Sequence, residues 1–171
     1  LHPLLHAFLQ VCLLRSGPQD LPSSGFLLLA ALVLHALSGV GLALAYQSVA
    51  AALGDGITDT VLLAVMTGSL LYLQRHPERV GQTLTALAGT GFLLGVLALV
   101  PTWWWTLARA AGGDVSVPAL LLLGLIVWSI LVMGHILRHA LSAPLPVGLV
   151  AAVAFYWVAV SLQDAIFPIG E

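Results

Sequence analysis

Pro118-Ala-Leu-Leu-Leu-Leu-Gly-Leu-Ile-Val-Trp-Ser-Ile-Leu-Val-Met-Gly-His-Ile-Leu137 contains no Asp, Glu, Lys or Arg. At 1.5 Å per residue, a helix of about 20 such residues covers a hydrocarbon core of about 30 Å. Four further apolar runs occur, two of them interrupted by one acid each (Asp59 and Asp164): Phe26–Tyr46, Ile57–Leu73, Thr83–Val100 and Val147–Phe167. Together they fill most of the chain's 171 residues, of which 60% are hydrophobic and only 7% charged. Such a chain has too few charges to cover a water-soluble surface. Mean hydropathy of +1.08 points the same way.

In hydrocarbon the backbone must satisfy its own polar groups, so each run is expected to be a helix. No alternating strands of the barrel type occur. The expected fold is all-α: a polytopic membrane helical bundle with five transmembrane helices, plus an N-terminal interfacial amphipathic helix over residues 1–14. The whole of 1–171 is one membrane domain. The N-terminal helix is inferred from His2, His6 and Gln10, which recur every four residues amid Leu and Phe. That stripe suits a helix at the membrane interface or packed on the bundle. Residues 1–14 are too short to span and lack signal-peptide features. Because the chain starts at Leu1 rather than Met, a start residue or short leader is expected to be missing.

Gly17, Pro18 and Pro22 break the chain before the first span, and Ser23 or Ser24 can cap it. All nine prolines are expected at helix ends or in loops, giving continuous helices. Short connections favour antiparallel neighbours. If side A is the face carrying the N-terminal segment, Arg15, Arg75, Arg79 and Arg138 fall on side A. Only Arg109, in an expected loop Pro101–Val117, falls on side B. The positive-inside rule then makes side A cytoplasmic and leaves the C-terminus outside, in the periplasm of a bacterial inner membrane. Arg without Lys, with abundant Leu, Ala, Val and Gly, suits a GC-rich bacterial genome. Trp103-Trp104-Trp105 reads as an interfacial aromatic belt on side B.

Ionisable groups inside the membrane are the candidates for function. His35 lies about 14 Å below side A, near mid-membrane. It is expected to be neutral, in a structural role, and hydrogen-bonded to a hydroxyl (Thr67 or Ser129) or a backbone carbonyl, and not to form a salt bridge. Asp59 and Asp164 are expected near the side-B ends of their spans, with Gln47, Asp55 and Gln163 at similar depth. His135 and His139, spaced i, i+4, share a helix face as a two-His metal site requires. A third ligand would have to come from His76 or the N-terminal histidines, and a polar helix end is the preferred reading. His35 and His135 differ in depth by roughly 10 Å, which disfavours a haem between them.

Small residues mark helix contacts. Gly81, Gly89, Gly91 and Gly95 line the third span and are expected to let another helix approach closely. Cys12 is the only cysteine, which excludes an internal disulfide and a cysteine metal site. No nucleotide-binding, hydrolase, zinc-protease or dinucleotide motif occurs, and no basic patch for nucleic acid. No catalytic residue, cofactor or metal is therefore assigned.

The five-span layout, with the polar segment Gly17-Pro-Gln-Asp-Leu-Pro22 before the first span, resembles the Yip1-domain superfamily of small membrane proteins. The resemblance implies a cytoplasmic N-terminus, short loops, and a module acting through protein or lipid contacts. The aromatic motif of its eukaryotic members is absent, so neither trafficking nor catalytic residues come across. The expected role is a non-enzymatic scaffold or accessory subunit. Its partners would be membrane lipids, another membrane protein or a second copy of itself. The alternatives are a small transporter or channel using His35, Asp59 and Asp164, and a lipid-acting enzyme built on the side-A His and Arg residues.

Overall fold

A computed structural model describes residues 2–166 of the chain, with side chains from residue 3 onward. The described residues form helices and no strands. They are α1 (His2–Cys12), α2 (Gly25–Ala43), α3 (Val49–Leu73), α4 (Val80–Ala110), α5 (Ser116–Ala140) and α6 (Leu145–Ile166). Short 3-10 turns, Pro18–Asp20 and Pro77–Arg79, precede α2 and α4. α2 to α6 are the five helices long and apolar enough to cross a membrane. Phe167, the expected last residue of the fifth span, and the tail to Glu171 lie outside the described residues, as does the His2 side chain.

Helix ends follow their local chemistry. Ser24 and Ser48 cap α2 and α3, each hydroxyl accepting from a backbone N–H three residues on at 3.4 Å. α1, α3 and α5 end on left-handed residues, Leu14, Arg75 and Ser142, and α4 ends on Gly112. In each case a later N–H bonds back over the last turn, as from His76 to the Leu71 carbonyl at 2.8 Å.

The five long helices close into a ring in the order α2, α3, α6, α5, α4. α1 lies against α4 and α5. Neighbours in sequence are antiparallel, but the most extensive contact joins α2 and α4, which run parallel. Glycine makes that seam possible. A Cβ at Gly91 would sit 2.7 Å from the His35 ring, and one at Gly95 would sit 2.8 Å from Ser38 Oγ. Gly56 of α3 meets α2 as closely, with Ala36 O 2.7 Å from where its Cβ would be. Gly89 receives the Phe8 ring of α1. Gly81 is a correction: it opens onto free space and packs against nothing.

Pro101 is a second correction, because it lies inside α4 rather than in a loop. Its missing N–H forgoes one helical hydrogen bond, and the ring is buried. The expected loop from Pro101 to Val117 therefore shortens to the segment between Ala110 and Ser116. α4 carries Trp103–Trp105 on its last turns, about 35 Å from Val80 along the axis, beyond the core thickness. The Arg109 guanidinium lies 5.1 Å from the Trp105 ring centre, a cation–π contact.

The apolar core sits in the side-A half. Phe8 and Val11 of α1 join Leu84 and Leu87 of α4 and Val132, Ile136 and Leu137 of α5. Phe8 reaches Gly89, about 13 Å along α4 from Val80. α1 is therefore packed into the bundle rather than lying only on its surface. His6 is exposed on its outer side, 3.4 Å from Gln10.

Cys12, the last residue of α1, is buried, and burial pushes its thiol from 9.0 up to about 11. Folding therefore disfavours the thiolate, so stability is full below pH 9 and falls as pH rises towards 11. In detergent at pH 7.5, Cys12 should resist maleimide until the chain is unfolded. Rapid labelling of the folded protein at that pH would show that α1 does not stay docked.

Candidate functional site

The ring encloses a cavity of about 470 Å³ lined by residues of α2 to α6 and the α2–α3 turn. His35 and Asp59 are the deepest ionisable residues of its lining. Tyr46 and Gln47 from the α2–α3 turn, with Gln163 and Asp164 from α6, form its side-B end. Asp55 stands one turn nearer that end than Asp59 on α3, and Tyr156 faces across from α6. Below the pair the lining turns apolar with Leu63, Met66, Met133 and Phe155. The buried side-A core closes the path beyond.

His35 and Asp59 meet because α3 starts earlier than its apolar run. The Ser48 cap places the helix start at Val49, about two turns ahead of Ile57. Asp59 is then about 15 Å from the side-B end of α3, and His35 about 12 Å from that of α2. They share a depth, and His35 Nε2 lies 3.8 Å from Asp59 Oδ2. This corrects the expectation that the two are kept apart. The His35 side chain is 13% exposed and that of Asp59 34%.

The hydroxyl partner of His35 is Thr60, not Thr67 or Ser129. His35 Nδ1 lies 3.0 Å from Thr60 Oγ1. The Thr60 hydroxyl donates its one proton to the Gly56 carbonyl at 2.9 Å. Its oxygen therefore accepts from His35 Nδ1–H, which fixes the ring tautomer. Nε2 is left facing the Asp59 carboxylate. A proton there sits between a nitrogen lone pair and a carboxylate oxygen. The ring is wedged against α4, where any side chain at Gly91 would collide with it.

Thr67 is buried with no hydrogen-bond partner for its hydroxyl among the described residues. Ser129 lines the cavity, its hydroxyl turned to the Ile126 carbonyl at 2.8 Å. Gln47 Oε1 is likewise buried without a partner among those residues. Asp164 is exposed beside the cavity and does not reach His35.

The other candidates lie at the opposite end. His135 is 4% exposed, and its Nε2 donates to the Ser16 carbonyl at 3.0 Å, tying the α1–α2 loop to α5. The His139 ring meets it edge-on at 4.8 Å. His76 instead pairs with Glu78 at 3.4 Å. Among the described residues no three metal-ligating side chains converge. The sequence reading named His35, Asp59 and Asp164. Thr60 as the partner of His35, and Tyr46 and Tyr156 in the cavity wall, were not among its candidates. The signal for Thr60 was its place four residues after Gly56, where its hydroxyl returns to the helix backbone.

No protein-family model matches the chain, and neither a curated protein nor a solved structure is significantly similar to it.

The Thr60 bond makes the identity of the residue at 35 testable. His35→Gln keeps a donor at this position, whereas His35→Leu leaves the Thr60 oxygen without one. His35→Leu should be the less stable by about 1–3 kcal/mol. Equal melting temperatures in detergent would show that the bond contributes nothing.

Proposed function

We propose that the chain is a small proton-translocating carrier whose working centre is the His35–Asp59 pair. The observation that supports this reading is the cavity running from the side-B end to that pair, with Asp55 and Asp164 along it. Carboxylates in a low-dielectric passage concentrate cations near them. A titratable pair at mid-membrane is costly to bury and is the usual element of a proton relay. Thr60 orients the imidazole so that Nε2 can take a proton from Asp59 or return it. The sealed side-A half makes this a carrier open on one side, not a continuous pore, so transport requires a second state in which the apolar core parts. The reaction is movement, not bond-making, and no substrate is chemically altered.

We place the carrier in a bacterial inner membrane with side A cytoplasmic, on the four-to-one distribution of Arg. The likeness to Yip1-domain proteins is part of the same proposal, supported by the five-helix layout. A reporter fused after Glu171 should be active only outside the cytoplasm; cytoplasmic activity would reverse the orientation.

Purified protein in vesicles should dissipate an imposed pH gradient faster than protein-free vesicles. Asp59→Asn should reduce that flux at least tenfold while the protein still folds and reconstitutes. Vesicles containing the wild-type protein that hold the gradient as tightly as empty ones would overturn the reading. The scaffold or accessory-subunit role would then stand in its place.

A further inference from the structure

A second polar cavity lies at the opposite end of the bundle and does not depend on the carrier reading. Its volume is about 280 Å³, and it is walled by the Pro18–Asp20 turn, the start of α4 and the end of α5. Arg79, Gln82, Thr83, His139, Ser142 and Gln19 line it, and no carboxylate does.

The donors are held in place. Arg79 Nη1 donates to the Ala140 carbonyl at 2.9 Å and to Ser142 Oγ at 2.7 Å. Those bonds cap the C-terminal end of α5 and steady Ser142, whose φ is 52°. A guanidinium has five N–H donors, so fixing one nitrogen leaves others to serve a ligand. Nε is 3.7 Å from the exposed Glu78 carboxylate, and the Arg79 hydrogen bonds among the described residues use Nη1, not Nη2. Arg138 Nη2 lies 3.4 Å from His139 Nε2. Arginine can only donate, so Nε2 accepts and the His139 proton sits on Nδ1 as a further donor. Gln82 is steadied by its bond to the Leu21 carbonyl at 3.2 Å. Around the cavity, side A carries Arg15, Arg75, Arg79 and Arg138 against only Asp20 and Glu78. Asp20 is engaged in capping its own turn, accepting from Gly17 N at 2.8 Å.

A positive, donor-rich cavity at the ends of membrane-spanning helices lies at headgroup level. We propose that it binds a phosphate oxyanion through Arg79 and His139, supplied by an anionic phospholipid headgroup or by free phosphate. Planar guanidinium and phosphate match as paired donors and acceptors.

The test is the melting temperature of the full chain in detergent with phosphatidylglycerol, diacylglycerol or inorganic phosphate added, with native mass spectrometry for retained lipid. Phosphatidylglycerol should raise the melting temperature and be retained, while diacylglycerol, which has the tails without the phosphate, should do neither. A rise with inorganic phosphate alone would assign the site to free phosphate. Arg79→Gln should weaken binding about tenfold or more, although it also removes the cap on α5. Gln19→Glu is the cleaner variant, because Gln19 makes no hydrogen bond among the described residues. It adds a carboxylate to the wall and should weaken binding at least about tenfold. The proposal is overturned if no phosphate compound shifts the melting temperature. It is equally overturned if diacylglycerol matches phosphatidylglycerol, or if Gln19→Glu binds as the wild type does.

Discussion

His35 reaches the centre of the bundle because Gly91 has no side chain. With a Cβ only 2.7 Å from the imidazole, α2 would have to rotate or move off α4. The contact between these parallel helices is continued by Gly95 against Ser38 and by Gly41 against Leu99. In hydrocarbon there is little hydrophobic gain from pressing two apolar helices together. Close backbone approach through small residues supplies the attraction instead. The cavity depends on that approach, since α2 and α4 form one arc of the ring. Filling the seam would cost about 1–3 kcal/mol by overpacking and would also turn the histidine out of line with Asp59.

The two halves of the bundle are built on different physics. Near side A, α1 and the α1–α2 loop are folded into the core, with Phe8 against Gly89 and His135 holding the Ser16 carbonyl. Leu71, Ile136 and Leu137 are fully buried there. Towards side B the helices leave a cavity between them lined in part by polar side chains. The separation is a division between a packed plug and a polar-lined chamber.

The spans were legible in the sequence because the lipid constraint acts on whole runs of residues, and no local detail can override it. The candidate site was legible in composition but not in geometry. Asp59 looked like a residue near the membrane surface because Val49-Ala-Ala-Ala-Leu-Gly-Asp-Gly56 is only weakly apolar. Helix formation needs no strong hydropathy, however, and the Ser48 cap followed by alanines was the better guide to where α3 begins. Pro101 misled in the same way. A proline reads as a stop, but in a membrane helix the neighbours and the surrounding turns can carry its missing bond. Gly81 erred in the opposite sense, since glycine spacing marks a possible contact face and only the rotation of the helix decides whether anything meets it.

A partly buried His–Asp pair is a poor device for stability. Taking two ionisable groups out of water costs several kcal/mol per ion, and apolar side chains of similar volume often serve a fold as well or better. The direct separation of 3.8 Å is also too long for a hydrogen bond, so the pair does not recover that cost through ideal geometry. Thr60 spends its acceptor on fixing the imidazole tautomer, which matters to a scaffold only as one more hydrogen bond but matters to a proton relay as direction. The oxygen of Gln47, left without a partner among the described residues beside the same chamber, is a second polar group that packing alone does not explain. These groups lie along one passage, and their combined desolvation cost is what the proposed translocation would explain and packing alone would not.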